Sequence, residues 1–467
     1  MAKEKKNAVD EPIYDARTLG TPKMLVLGLQ HLFAMFGATV LVPILTGLSV
    51  SATLLFAGLA TLFMHLVTGK KVPVFLGSSF AFLGGYFAVV ASGAELGLSQ
   101  AESLPYACIG VACAGLLYLV LALICKAFGS KNVMRFFPPV VTGPIIIAIG
   151  LILAPSAINN CSTNWWIALV AIVVVIVCNI WGKGMIKIVP ILMGVLVSYL
   201  VAAVSGNVDF SGVKEAAWIG LPFQMKDTVF GLLASGNVNS GLVISSIVMI
   251  VPIAFATMME HVGDISAIGG TIEKNLIEDP GLHRTLIGDG IGTTIAALFG
   301  APANTTYGEN TGVLVLTKVY DPKVVRLAAI YAIVLSFCPK FAALISAMPA
   351  ATIGGVSIIL YGMISAVGVR NMVENHTDFQ KSRNVIVAAV ILGLALGINF
   401  SGLLGADITT AGNNATGAIS FMIGDMKIAL SGLAVASIVG ILLNAILPGK
   451  RDEYMPNQAN SGSLGKF

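Results

Sequence analysis

Charge is scarce in this sequence. Asp, Glu, Lys and Arg make up 11% of its 467 residues, while 56% are hydrophobic. A soluble globular chain carries about 25% charged residues, so a fold built for water is excluded and lipid is the expected surrounding. Metal chemistry is equally poorly provided for. The six cysteines, Cys108, Cys113, Cys125, Cys161, Cys178 and Cys338, form no CxxC and no Cys/His cluster with zinc-site spacing. They read as buried small hydrophobes, and neither a metal nor a cofactor is expected. No HExxH, nucleophile elbow or phosphate loop occurs at membrane depth, which argues against an enzyme. The amino-terminal stretch stays polar to about Pro22 and lacks the basic-then-apolar order of a signal peptide. The first apolar segment is therefore expected to remain as an anchor.

What the chain has instead is apolar segments, with 51 glycines and 19 prolines, both of which membrane helices tolerate. About 20 apolar residues cross a bilayer. By that measure spans fall near 24–46, 52–69, 73–91, 104–125, 136–156, 164–181, 187–205, 241–263, 284–300, 303–317, 324–346, 350–369, 383–400 and 427–447. The third and tenth are short and rich in Gly, Ser, Thr or Asn, and each is expected to be an extended piece followed by a half-helix. Basic residues concentrate in cytoplasmic loops. With both termini inside, fourteen spans put every arginine and all but four of the 27 basic residues on the inner side. The exceptions are Lys214, Lys226, Lys340 and Lys427. The net charge of +4 is thus explained by topology and calls for no nucleic-acid partner. A long external connection follows near 206–240, expected as irregular or amphipathic surface structure.

Seven spans per half is an odd number, so a repeat between the halves must be inverted. Pro73 precedes Phe80 by seven residues, as Pro302 precedes Glu309. Phe136-Phe-Pro-Pro-Val-Val-Thr-Gly143 resembles Met348-Pro-Ala-Ala-Thr-Ile-Gly354. Short Gly- or Pro-interrupted segments at matching positions of two halves point to a transporter's binding site. Their half-helices aim free N–H groups and the positive dipole end at the ligand.

The run Asn304-Thr-Thr-Tyr307-Gly308-Glu309-Asn310-Thr-Gly312 places a carboxylate inside such a segment. A charge at membrane depth costs a few kcal/mol and usually faces a pathway or a partner; a structural salt bridge is the plainer alternative. Glu260 and Asp264, four apart, share one helical face. Three acids in a low-dielectric site cannot all ionise cheaply, so at least one is expected to carry a proton at neutral pH. Asp264 also reads as a solvated acid at the cytoplasmic helix end. A carboxylate accepts ring N–H groups and a carboxyl can donate to a carbonyl, which suits a small, flat, neutral ring with alternating N–H and C=O groups. Phe80 offers that ring an apolar face. His31 and His65 read as packed or hydrogen-bonded helix residues, Asp289 and Asp407 as helix-end or loop acids, and Tyr361 as either a packed ring or an aromatic gate.

Glu309-Asn310-Thr-Gly312-Val-Leu-Val-Leu-Thr317-Lys318 resembles the signature of the nucleobase–ascorbate (nucleobase–cation symporter-2) transporters. Gln30-His31 through Gly37-Ala38 to Pro43, Leu76-Gly-Ser-Ser-Phe80-Ala-Phe82 and Glu260-His261-Val-Gly263 are similar to the pattern of bacterial uracil permeases within that family. The likeness runs from about Leu19 to Leu447. It implies an all-α polytopic membrane protein of fourteen transmembrane segments in two inverted seven-segment repeats, with spans 3 and 10 broken by short antiparallel strands. It implies cytoplasmic tails at 1–23 and 448–467 and an external loop at 207–240. A core domain of spans 1–4 and 8–11 (24–126 and 241–346) would move against a gate domain of spans 5–7 and 12–14 (131–206 and 350–447).

The implied function is proton-coupled uracil uptake across the inner membrane. Ala38, Phe80, Glu260, Tyr307, Gly308, Glu309 and Tyr361 would bind substrate, and Glu260, Asp264 and Glu309 would couple protons. Where the uracil permease pattern has a His four residues after the span-eight Glu, this chain has Asp264, which leaves the proton carrier open between Glu260, taken first, and Asp264. A xanthine or urate symporter on the same scaffold, or an anion exchanger or channel, stays as the alternative. Sodium coupling and a homodimer through the gate domain are left open.

Overall fold

The computed structural model describes residues 12–401, 418–423 and 426–448. Asp407, the first eleven residues and the tail beyond 448 lie outside the described residues. Helices dominate. Among the described residues seven helices, Ser240–Thr271 counted as one, are long and apolar enough to cross a membrane, or eight if a bent pair counts as one span.

The first half begins with α1 (Thr21–Thr46) and α2 (Val50–Val67). Pro22 sits in the first turn of α1, where its missing N–H costs nothing. Gly47, in the left-handed region, ends α1 by donating to Pro43 O. Ser49 then caps α2 by accepting from Ala52 N–H. After α2 the chain runs extended into β1 (Leu76–Ser78) before α3 (Leu83–Glu95). Helix α4 (Gln100–Phe128) starts with a capping box between Ser99 and Glu102. Next come α5 (Pro139–Ser162), α6 (Trp165–Trp181) and α7 (Pro190–Val204).

In the second half, α8 (Ser240–Ile250) and α9 (Ile253–Thr271) are separated by a break at Val251–Pro252. Helix α10 (Leu282–Leu298) leads through β2 (Asn304–Thr306) to the short α11 (Glu309–Thr317). Then follow α12 (Pro322–Ser336), α13 (Pro339–Ser346), α14 (Ala350–Glu374), α15 (Ser382–Ser401), a hairpin of β3 (Ala418–Ile423) and β4 (Met426–Ser431), and α16 (Gly432–Ile446).

Two packing groups stand out. Helices α5 and α14 make the most extensive pair, and α6, α15 and α16 gather round them. Glycines allow the approach: a Cβ on Gly150 would lie 2.2 Å from Tyr361 O, and one on Gly368 would lie 2.6 Å from Gly143 O. In the other group α10 lies against α4 and α2, and α12 against α2 and α1.

β1 and β2 pair antiparallel, Leu76 opposite Thr306, Gly77 opposite Thr305 and Ser78 opposite Asn304. Each strand is fastened to the helix before it by one threonine hydroxyl. Thr61 on α2 accepts from Leu76 N–H at 2.9 Å and donates to Leu76 O at 3.4 Å. Thr293 on α10 does the same for Asn304, at 3.2 Å in both directions. The outward-facing N–H and C=O of Leu76 and Asn304 are thereby satisfied without a larger sheet, as buried backbone groups require.

Three segments differ from the sequence reading. The stretch 324–346 is not one helix: α12 and α13 meet at 89°, because Pro339 can begin a helix but cannot continue one. The segment 427–447 begins as strand β4, and its helix starts only at Gly432, capped by Ser431. Asp289 is not a helix-end or loop acid; it is fully buried in the middle of α10. Its flanking glycines mark close approaches instead. A Cβ on Gly288 would lie 2.3 Å from Met64 Sδ, and one on Gly290 2.6 Å from Tyr118 Cβ.

Candidate functional site

The two strands converge on a cluster of acids. Glu309 is the first residue of α11, with Gly308 at its N-cap. The first N–H groups of a helix have no i−4 acceptor within it. Here Thr311 N–H donates to Gly308 O at 3.0 Å and Glu309 N–H to its own carboxylate, so the turn holds that carboxylate over its own N-terminus. Glu260 and Asp264, one turn apart on α9, lie close enough to Glu309 to interact with it electrostatically. All three carboxylates are half-buried, and Gly308 is exposed. Asp264 is not a solvated acid at a helix terminus: its Oδ1 lies 3.7 Å from where a Cβ on Gly308 would stand. A carboxylate on one helix thus faces the backbone at the start of another.

Tyr307 braces the site from below. Its N–H donates to Phe75 O at 3.0 Å. Its hydroxyl donates to Ser78 O at 2.9 Å and accepts from Thr39 Oγ1 at 3.3 Å. Ser78 Oγ donates in turn to Thr39 O at 2.9 Å and lies 3.3 Å from Ala38 O, which ties α1 to β1. Gly77 is required here, since a Cβ would stand 2.4 Å from the Tyr307 ring. Phe80, just after β1, meets Tyr361 of α14 edge-on at 5.8 Å. That contact joins the two packing groups across the site.

Two polar networks supporting the acids escaped the sequence reading. Beside Glu260, the fully buried His261 places Nδ1 2.8 Å from Thr306 Oγ1 of β2 and 3.0 Å from Asp289 Oδ2. Its Nε2 lies 3.0 Å from Thr285 Oγ1. Next to Glu309, Asn310 Nδ2 donates to His31 O at 3.1 Å and lies 3.1 Å from His31 Nδ1. The signal for the first network was the adjacency of His261 to Glu260. His65 proves to be a strand fastener, with Nε2 2.8 Å from Val74 O. Among the described residues no group of three His, Cys, Asp or Glu side chains could hold a metal ion.

The model of the permease family matches residues 22–403. The chain belongs to this family. It is the nucleobase–ascorbate transporter family that the Glu309–Lys318 motif resembles, and the protein is a transporter rather than an enzyme. Uracil permease of Bacillus caldolyticus is 40% identical over 447 residues, covering 94% of both chains. Uracil permease of Bacillus subtilis (strain 168) is 37% identical, covering 94% of this chain and 95% of its own. A putative pyrimidine permease of Escherichia coli (strain K12) is 36% identical, covering 92% and 91%. Among solved structures, the transmembrane domain of a cyanobacterial bicarbonate transporter has a TM-score of 0.55 at 15% identity, covering 93% of this chain and 99% of its own. The murine Solute Carrier 26 family member A9 anion transporter in its inward-facing state has a TM-score of 0.54 at 11% identity, covering 95% and 73%. At such identities the likeness is one of fold. The permease is thus a multi-pass membrane protein.

Proposed function

We propose that this permease carries uracil inward across the cytoplasmic membrane in symport with a proton. The observation that carries the reading is the convergence of Glu260, Asp264 and Glu309 at the N-terminal turn of α11. Carboxylates accept the ring N–H groups of a pyrimidine, and the N–H groups at Gly308 and Glu309 donate to its carbonyls. The relatives named for uracil support the choice of ring. Three neighbouring acids cannot all stay charged out of water, so substrate and proton stabilise each other's binding; linkage makes that coupling reciprocal. Glu260 is the first choice for the proton and Asp264 the second.

The proposed transport cycle moves a core domain of spans 1–4 and 8–11 against a gate domain of spans 5–7 and 12–14. The fourteen spans enter and leave on the cytoplasmic side, as the arginines require. The Phe80–Tyr361 contact sits where those domains would part.

Equilibrium binding of radiolabelled uracil to the purified protein tests the site. A hydrogen bond to a charged group contributes about 1.5–3 kcal/mol, so Glu309→Gln should weaken binding about 10- to 150-fold. Folded wild-type protein that binds no uracil would overturn the reading.

A further inference from the structure

The residues just before α1 touch the far ends of both acid-bearing helices. Ile13 forms a parallel bridge with Val319: its N–H donates to Lys318 O at 2.8 Å, and its carbonyl accepts from Tyr320 N–H at 2.8 Å. Val319 and Tyr320 directly follow α11. Ala16 N–H donates to Asp321 Oδ2 at 2.8 Å, and Lys323 Nζ lies between Asp15 Oδ1 at 3.1 Å and Asp321 Oδ2 at 3.3 Å. Tyr14 reaches the other way, to the turn that follows α9. Its hydroxyl donates to Ile272 O at 3.2 Å, Lys274 Nζ stands 4.7 Å from its ring centroid, and its ring meets Tyr320 edge-on at 5.6 Å. Four consecutive residues thus bind the chain after α11 and the chain after α9 into one unit.

This matters because α11 has only nine residues. Helices below about 12–15 residues are marginal by themselves, so α11 takes its position from what holds its ends. At the Glu309 end the holds are β2 and the Asn310–His31 contact. At the Thr317 end the chain leaves through Lys318, in the left-handed region, directly onto Ile13. Between the ends, Leu314 packs in one buried cluster with Ile265, Ile268 and Ile272 of α9 and its following turn.

We propose that residues 13–16 form a positioning strap. By clamping the chain after α9 to the chain after α11, the strap sets the separation of Glu309 from Glu260 and Asp264, and with it the affinity for substrate. The substrate part of this statement rests on the uracil reading. None of the strap residues touches the ligand; each acts through α9 or α11.

The test compares Ile13→Pro, which removes the donor to Lys318 O, with Ile13→Ala, which keeps it. Tyr14→Ala is compared with Tyr14→Phe, which keeps the ring. Uracil KM and Vmax are measured in proteoliposomes of the full-length protein, together with thermal unfolding. One lost backbone hydrogen bond corresponds to about fivefold in affinity. Ile13→Pro and Tyr14→Ala should raise KM about fivefold at little-changed Vmax. Tyr14→Phe, which loses only the donor to Ile272 O, should fall between Tyr14→Ala and wild type, and Ile13→Ala should stay within about twofold of wild type. Unchanged KM in both disruptive variants would overturn the strap, as would a loss confined to Vmax. Hydrogen–deuterium exchange keeps the test independent of the substrate. Disruption of the strap should speed exchange at both 265–274 and 309–321, whatever wild-type protein transports. Exchange unchanged at either segment would refute the proposal even if uracil were the wrong substrate.

Discussion

Gly77→Ala is the substitution whose effect follows most directly from the geometry. The added methyl would stand 2.4 Å from Cε2 and Cζ of Tyr307 and 2.8 Å from its hydroxyl, well inside van der Waals contact. The ring cannot swing aside freely, because its hydroxyl is held by Ser78 O and Thr39 Oγ1. Nor can β1 retreat, since Thr61 holds Leu76 from behind. Overpacking of this kind costs about 1–3 kcal/mol. Tyr307 immediately precedes Gly308 and Glu309, so the strain falls on the turn proposed to bind substrate. If all of it appears in binding, affinity drops about 5- to 150-fold. Gly270→Ala, where nothing lies within 4 Å of the new Cβ, is the matched control and should bind normally. The assay is radiolabelled uracil binding to both purified variants, with thermal unfolding alongside. Wild-type affinity and stability in Gly77→Ala would refute the claim that the Tyr307 ring and β1 are packed without slack.

Three other perturbations act on the same packing and its anchors. Asp289→Ala removes a fully buried carboxyl group whose Oδ2 lies 3.0 Å from His261 Nδ1; losing a buried polar neighbour costs about 1–3 kcal/mol, read as a fall in unfolding temperature. Gly150→Ala drives a methyl into Tyr361 O and Ser365 Oγ, 2.2 and 2.3 Å away, and should destabilise the α5–α14 pair by about 1–3 kcal/mol in the same thermal assay. The strap should weaken in acid. Arg17 first and Lys323 second hold the Asp15 carboxyl well below the usual carboxylate range. A lowered native pKa stabilises the docked form above the unfolded value and loses that contribution as pH falls through the native one. Protection factors at residues 12–20, corrected for intrinsic exchange, should therefore hold at neutral pH and fall only on strong acidification, and constant protection throughout would contradict this.

Much of the site was legible because its chemistry is local in the chain. Pro73 and Pro302 mark the two segments that carry β1 and β2, and the tenth-span run holds Tyr307, Gly308 and Glu309 within three residues. Asp264 could be placed on the Glu260 face by helical spacing, but only packing against α11 brings it beside Gly308. The His261–Asp289 pair joins α9 to α10, and its flanking glycines carry the same signature as a turn until the neighbouring helices are seen. The bend between α12 and α13 was hidden by hydropathy, which runs unbroken across Phe337 and Cys338; Pro339 was its one local signal. The strap was invisible for a different reason. Ile13 meets Val319 through backbone groups, which every sequence has.

The measurement that bears most directly on the account is uracil uptake into proteoliposomes under an imposed inward proton gradient, with and without a protonophore and with xanthine as competitor. Accumulation that collapses with the protonophore and ignores xanthine is the result predicted here. Folded protein that takes up no uracil, or accumulates it equally well without a proton gradient, would contradict it.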